Sequence, residues 1–150
     1  MRVVFGLFWS ADAYMKWALI FQGIDYADLI SHGVEGQPAN VAQWISFWSS
    51  TAKTVPGFSY IIAILETIVA GFILAGFLTN LTASFGMVLS FLIWSTAEAF
   101  GGIFTTGATD IGTSPLYMAM FAGLIVVQAG RQRGIDSWII KRHPRLRVFV

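Results

Sequence analysis

Four apolar stretches, each near the length of a bilayer crossing, leave this chain few ways to fold. They run over about residues 3–22, 58–78, 83–100 and 114–130. The hydrocarbon core of a bilayer takes about 20 apolar residues as helix. Of the 150 residues, 56% are hydrophobic and 11% are charged, whereas a soluble domain carries about 25% charged residues. Water is a poor solvent for such a surface. The expectation is an all-α membrane protein: one domain, built as a four-transmembrane-helix bundle. Residues 79–84, "TNLTAS", join the second and third stretches so tightly that the two read as an antiparallel hairpin.

Charge sets the expected orientation. Arg131, Arg133, Lys141, Arg142, Arg145 and Arg147 all follow the fourth stretch, and Arg2 precedes the first. Cytoplasmic flanks carry the excess of Lys and Arg. Four crossings then put both termini, with a basic tail over residues 131–150, on the cytoplasmic side of a prokaryotic plasma membrane. Lys53 is the clear loop cation on the other side. The sequon at Asn80 falls on the cytoplasmic side in this arrangement, where it is not glycosylated. Asp12 and Lys16 interrupt the first stretch and no small-x-small cleavage motif follows it, so a retained helix is expected rather than a signal peptide.

The outer connection, residues 23–57, has two parts. "IDYADLISHGVEGQP" reads as a loop or short interfacial turn. "ANVAQWISFWSSTAKTV" places Val41, Trp44, Ile45 and Trp48 at helical spacing, with Asn40, Gln43, Ser50 and Lys53 on the polar face. This is the pattern of an outer interfacial amphipathic helix, lying where Trp is favoured.

Several chemistries are excluded early. There is no cysteine, which removes disulfides, thiolate metal sites and Cys nucleophiles. His32 and His143 lie outside the apolar stretches, poorly placed for intramembrane haem. No haem, flavin or metal motif is found, and nothing points to nucleic acid.

Three charges do lie inside: Asp12, Lys16 and Glu66. Each costs about 2.5–3.5 kcal/mol at the centre of a membrane helix and normally faces the bundle interior. Asp12 and Lys16 are four apart on one helical face and can neutralise each other. Glu66 lies about 12 Å below the outer boundary at about 1.5 Å per residue, a depth similar to that of Lys16. A Glu66–Lys16 bridge is the alternative pairing. Either choice leaves one carboxyl able to exchange a proton, as membrane quinone chemistry requires. A purely structural polar cluster is the competing reading. Trp9, Trp17, Trp94 and Met118 offer the aromatic and soft apolar surface of a quinone pocket.

Glu98 closes the third stretch and is followed by Gly101-Gly102 and "TTGATDIGTSP". Asp110 suits a turn cap, and Ser114-Pro115 are the residue types that begin a helix. These features alone describe a tight polar turn. Glu98 is better explained if the segment faces a polar cavity shared with Glu66.

"AEAFGGIFTTGATDIGTSPLYMAMFAGLIV" resembles the last two helices of the DoxX/DoxD family. The likeness runs through Glu98, Gly101, Gly102 and residues 106–112, including Asp110. "ETIVAGFILAGFLT" is similar to the family's second helix at Glu66 and Gly71, and "AGRQRGIDSW" to its exit from the fourth at Arg131, Gly134 and Asp136. The resemblance covers about residues 58–138. It implies a four-helix subunit of a thiosulfate:quinone oxidoreductase, with quinone as substrate and a small DoxA-like partner. The expected catalytic group is then Glu66, Glu98, Asp12 and Lys16. Trp17, Trp94, Met118 and Asp110 are the expected quinone-binding residues. Thiosulfate is a dianion and needs cations or amide N–H groups. The outer face offers Lys16 and Lys53, opposed by Glu35, Glu98 and Asp110. Two other readings stay open: an accessory subunit of a larger respiratory or redox complex, and a small proton-coupled carrier.

Overall fold

A computed structural model describes residues 1–101, 114–131 and 134–150. Among them are seven α-helices, one 3-10 helix and no strand. The helices are α1 (Arg2–Phe21), α2 (Tyr26–His32), α3 (Ala39–Thr54), α4 (Phe58–Ala75), α5 (Thr79–Ser95), α6 (Ser114–Val126) and α7 (Ile135–Arg142), with the 3-10 helix at Pro144–Val148. The all-helical expectation holds. Two of the four expected spans, α1 and α4, are long and apolar enough to cross a membrane. α5 and α6 fall short, with 17 and 13 residues. At about 1.5 Å per residue that is roughly 26 and 20 Å, against a core of about 30 Å.

The apolar helices bury little of themselves. Only 33% of the apolar window of α1 and 28% of that of α4 is buried within the protein. Val3, Val4, Leu7 and Phe8 on α1, and Ile61, Ile64 and Ile68 on α4, face outward.

Inside, α1 packs on α4, and α5 packs on α6. Phe5 and Trp9 of α1 join the two pairs by meeting Tyr117 and Phe121 of α6. The Phe5 and Phe121 ring centroids are 4.7 Å apart at 86°, and those of Trp9 and Tyr117 are 5.3 Å apart at 85°. Edge-to-face contacts of this kind match the positive edge of one ring to the negative face of another. Phe121 also seats its ring directly over Gly86 of α5, where any Cβ would collide with it.

The α4–α5 hairpin turns at residues 76–78, not across 79–84 as its sequence suggests. Thr79 already begins α5. The reason lies far along the chain. Backbone N–H groups of Leu78 and Thr79 donate to the two carboxylate oxygens of Asp136, at 2.6 and 2.8 Å. At the neighbouring helix end, Arg2 Nη1 donates to the carbonyls of Ile73 and Leu74 at 2.6 and 2.9 Å. An anion thus closes the start of α5 and a cation the end of α4, each the charge that the helix dipole favours there.

The segment expected as a basic tail is therefore folded. α7 and the 3-10 helix lie across this end of the bundle. Asn80 Nδ2 donates to the carbonyl of Val150 at 2.9 Å, and Leu81 N–H to that of Phe149 at 3.2 Å.

At the opposite end α2 and α3 make a second, smaller core. α2 forms where a loop or turn was the expectation, because Asp25 accepts a hydrogen bond from Ala27 N–H at 3.0 Å and so caps its start. Val41, Trp44, Ile45 and Trp48 do form the packed face of α3, against Tyr26, Ile30, Phe58 and Ile62. Ala97 and Ala99, from the turn after α5, complete this core.

Candidate functional site

The α1–α4 seam carries the buried charges. Trp9 Nε1 donates to the backbone carbonyl of Glu66 at 3.0 Å, and Trp17 Nε1 to Thr67 Oγ1 at 3.0 Å. These two tryptophans, about two turns apart on α1, fix its register against α4. Lys16 then meets Glu66, with Nζ 3.7 Å from Oε1, and the two side chains are 2% and 1% exposed. That distance makes an ion pair, not a hydrogen bond between those atoms. Of the two pairings open from sequence, the cross-helix one is present. Asp12, one turn earlier on α1, is equally buried.

Lys16 has a further neighbour. Its Nζ lies 5.9 Å from the ring centroid of Tyr26, within cation–π range. Tyr26 is the first residue of α2 and is itself buried. Its position follows from Asp25, whose carboxylate caps α2 and also accepts a bond from Ser59 Oγ at 2.7 Å, tying α2 to the start of α4.

On its other side Tyr26 lines an apolar cavity of about 230 Å³. This opening lies between α4 and α5, beneath Trp48 of α3. Leu65, Phe85 and Leu89 form much of its wall. Its size is below the usual span of a ligand pocket, roughly 300–1,000 Å³, so an occupant fills it with a ring rather than a whole molecule. Tyr26 thus both lines this space and faces the buried ammonium.

A second, polar cleft of about 380 Å³ lies outside, lined by Asp25, Lys53, Ser59 and Tyr60 among others. The Ala27 N–H, the Ser59 hydroxyl and the positive charge of Lys53 together hold the Asp25 carboxyl below its ordinary range. Lys53 also lies 3.4 Å from Asp28, with both side chains exposed. Two carboxylates beside this lysine make the cleft a poor home for a dianion such as thiosulfate.

The other expected site residues are dispersed. Glu98 is 9% exposed and accepts the backbone N–H of Ser114 at 3.2 Å. Ser114 is the first residue of α6, so Glu98 places its charge at a helix N-terminus, where anions are stabilised. Neither Glu98 nor Glu66 lines the apolar cavity. Asp110 lies outside the described residues. Trp94 Nε1 donates to the carbonyl of Gly101 at 2.9 Å, and its ring packs edge-on against Phe100 at 5.1 Å. Those contacts pin a turn in which Ala99 and Phe100 both adopt left-handed backbone. Trp17 packs on Phe21 and Tyr60, and Met118 is half-buried on α6. None of Trp17, Trp94 and Met118 lines the apolar cavity.

Sequence reasoning missed Tyr26, and it named Asp136 only through the family resemblance, without its role as a cap. A signal existed for the first: Asp25 precedes Tyr26 and Ile30, an N-cap residue type ahead of two apolar residues at i, i+4 spacing. For the capping role of Asp136 there was none, since its partners lie 57 and 58 residues away.

Among the described residues, no three His, Asp or Glu side chains are grouped so as to hold a metal ion. No protein-family model, curated protein or solved structure matches the chain.

Proposed function

We propose that the chain is a multi-pass plasma-membrane subunit of the DoxX/DoxD kind, which presents a membrane quinone to a thiosulfate-oxidising reaction. In this reading α1, α4, α5 and α6 all cross the bilayer. Outward-facing Val, Leu, Ile and Phe on α1, α4 and α5 support that arrangement. A core helix of a soluble protein would bury most of such a surface. The Arg2 end, which also holds α7, is cytoplasmic by its excess of Lys and Arg.

The observation that carries the quinone reading is the position of Tyr26. It separates a laterally placed apolar cavity from a buried Lys16–Glu66 pair. A quinone ring resting against Tyr26 has its isoprenoid tail among the aliphatic side chains of α4 and α5. Reduction to the quinol takes up two electrons and two protons. Two thiosulfate ions supply the electrons as their sulfurs join in tetrathionate. Lys16, Glu66 and Asp12 set the local field and the store of exchangeable protons behind the ring. The thiosulfate site falls to the outer face together with a small DoxA-like partner.

A second reading, a non-catalytic accessory subunit, draws on a specific observation too. Arg2, Glu98 and Asp136 are all committed to helix ends, so Glu98, which suggests chemistry in the sequence, also has structural work.

The test is direct. Purified chain, alone and with its copurifying partners, is assayed for thiosulfate-dependent reduction of a short-tailed quinone. Quenching of tryptophan fluorescence by the same quinone reports binding. Leu65→Trp fills the cavity from a half-buried position and is expected to abolish both signals. Quinone binding that survives Leu65→Trp unchanged refutes the site. Binding without reduction, in a preparation that retains larger subunits, moves the conclusion to the accessory reading.

A further inference from the structure

We propose that α7 and the 3-10 helix after it form a fixed interfacial foot that binds the headgroups of anionic phospholipids. Two faces of α7 differ sharply. Asp136 and Ile139 point inward, at 0% and 9% exposure. Asp136 holds the α5 N-terminus through its carboxylate, and its own backbone N–H donates to the carbonyl of Gly76 at 2.8 Å. The outward stripe, at i, i+3 and i+7, is Ile135, Trp138 and Arg142. Ile135 and Trp138 are 45% and 58% exposed. Arg142 stacks its guanidinium 5.3 Å from the centre of the Trp138 ring. Lys141 lies beside this stripe, and the 3-10 helix adds Arg145 and the exposed Leu146.

Apolar rings and cations therefore share one exposed surface. Water suits the cations and not the rings, and a hydrocarbon core suits the rings and not the cations. The headgroup layer suits both: Trp and Ile settle at the acyl boundary while Lys and Arg reach phosphates. The charge balance selects anionic lipid. Residues 131–150 hold six Lys or Arg against one acid, Asp136, and that acid is buried in its cap. The position is also right. α7 lies beside Gly76 and the start of α5, at the same end as Arg2 and hence as the ends of the two long apolar helices. Because the foot is already folded against the hairpin, binding a lipid spends little on ordering it.

Detergent-solubilised full-length chain, stripped of lipid, is titrated with phosphatidylglycerol or phosphatidylcholine, and bound lipid is counted by native mass spectrometry. Preference for phosphatidylglycerol is expected, falling as salt is raised. Each cation near an anionic surface contributes about fivefold in affinity, so K141Q/R142Q/R145Q is expected to weaken phosphatidylglycerol binding by about a hundredfold. These side chains are exposed, and the triple variant keeps its fold. Trp138→Ala is expected to weaken binding of both lipids. Equal affinity for the two lipids, or a triple variant indistinguishable from the parent, overturns the proposal. Displacement of phosphatidylglycerol by inorganic phosphate at comparable concentration also overturns it, since that makes the surface a phosphate site. None of these outcomes depends on the quinone reading.

Discussion

Replacing Glu66 with Gln tests the centre of the α1–α4 seam. The substitution keeps the shape of the side chain and removes its charge. Lys16 is 2% exposed, so its ammonium stays inside without the carboxylate 3.7 Å away. Breaking one member of a buried pair costs about 3–5 kcal/mol, whereas exchanging both for apolar residues of similar volume is neutral or stabilising by about 1–4 kcal/mol. Tyr26 offsets part of the loss, because its ring still faces Lys16 and a desolvated cation–π contact contributes about 2 kcal/mol. The net expectation for Glu66→Gln is therefore a loss of about 1–3 kcal/mol. For Lys16→Met the loss is similar, because the buried Glu66 carboxylate then loses the ammonium 3.7 Å away. Paired K16M/E66L is expected to recover most of the stability. The assay is a double-mutant cycle by reversible denaturant titration of the solubilised chain, with quinone quenching followed in parallel. In the functional reading the paired variant is stable but no longer couples quinone reduction to proton uptake. Additive losses in the paired variant refute the pairing. Restored stability with unchanged coupling shows that the seam serves the fold alone.

Two further outcomes follow from the helix ends. Asp136→Ala strips the acceptor from the Leu78 and Thr79 N–H groups and is expected to cost about 3 kcal/mol, with Asp136→Asn costing about half as much, since one oxygen remains. Thermal melts check this: about 2–4 °C is lost per kcal/mol in a chain of this size, and equal melts for Ala and parent would exclude the cap. Asp25 governs the other end. Its carboxyl is held low in the folded protein, so its contribution is fully present above the unfolded value of about 3.9 and is lost as pH falls through the folded value. Fluorescence from Trp44 and Trp48 is expected to report loosening of α2 and α3 on acidification below about pH 4 in the parent, with a flat profile in Asp25→Asn. A parent that stays flat, or an Asn variant that titrates identically, refutes the assignment.

Much of the scaffold was legible because hydropathy is a local property. The stretches at 3–22 and 58–78 became α1 and α4 with shifts of a few residues. Depth counting placed Lys16 and Glu66 at one level, and they meet. The spacing of Val41, Trp44, Ile45 and Trp48 named the packed face of α3. The candidate site was less legible, because burial and polarity do not say which neighbour satisfies a charge. Glu98 reads in sequence as a second acid of a shared cavity, and nothing local announces that its carboxylate also meets the first residue of α6. Trp94 reads as pocket lining, and nothing local announces that its N–H closes a turn. Tyr26, which links the cavity to the charged seam, lay in a segment whose short helix depends on one Asp and on Ser59 of another element. Asp136 sat in what reads as a polybasic tail, and its place in the family resemblance did not say which groups it caps.

The distance along the chain between these caps and the ends they close has a consequence for biogenesis. Asp136 is made 57 and 58 residues after the N–H groups whose bonds it accepts, and the carbonyls to which Arg2 donates follow it by 71 and 72. While ribosomes are still extending the chain, the α4–α5 hairpin can form but its α5 end lacks the Asp136 acceptor. That end closes only once α7 has emerged. The basic foot thus acts as a late lock, and a chain released before residue 136 leaves the turn open to water and to proteolysis.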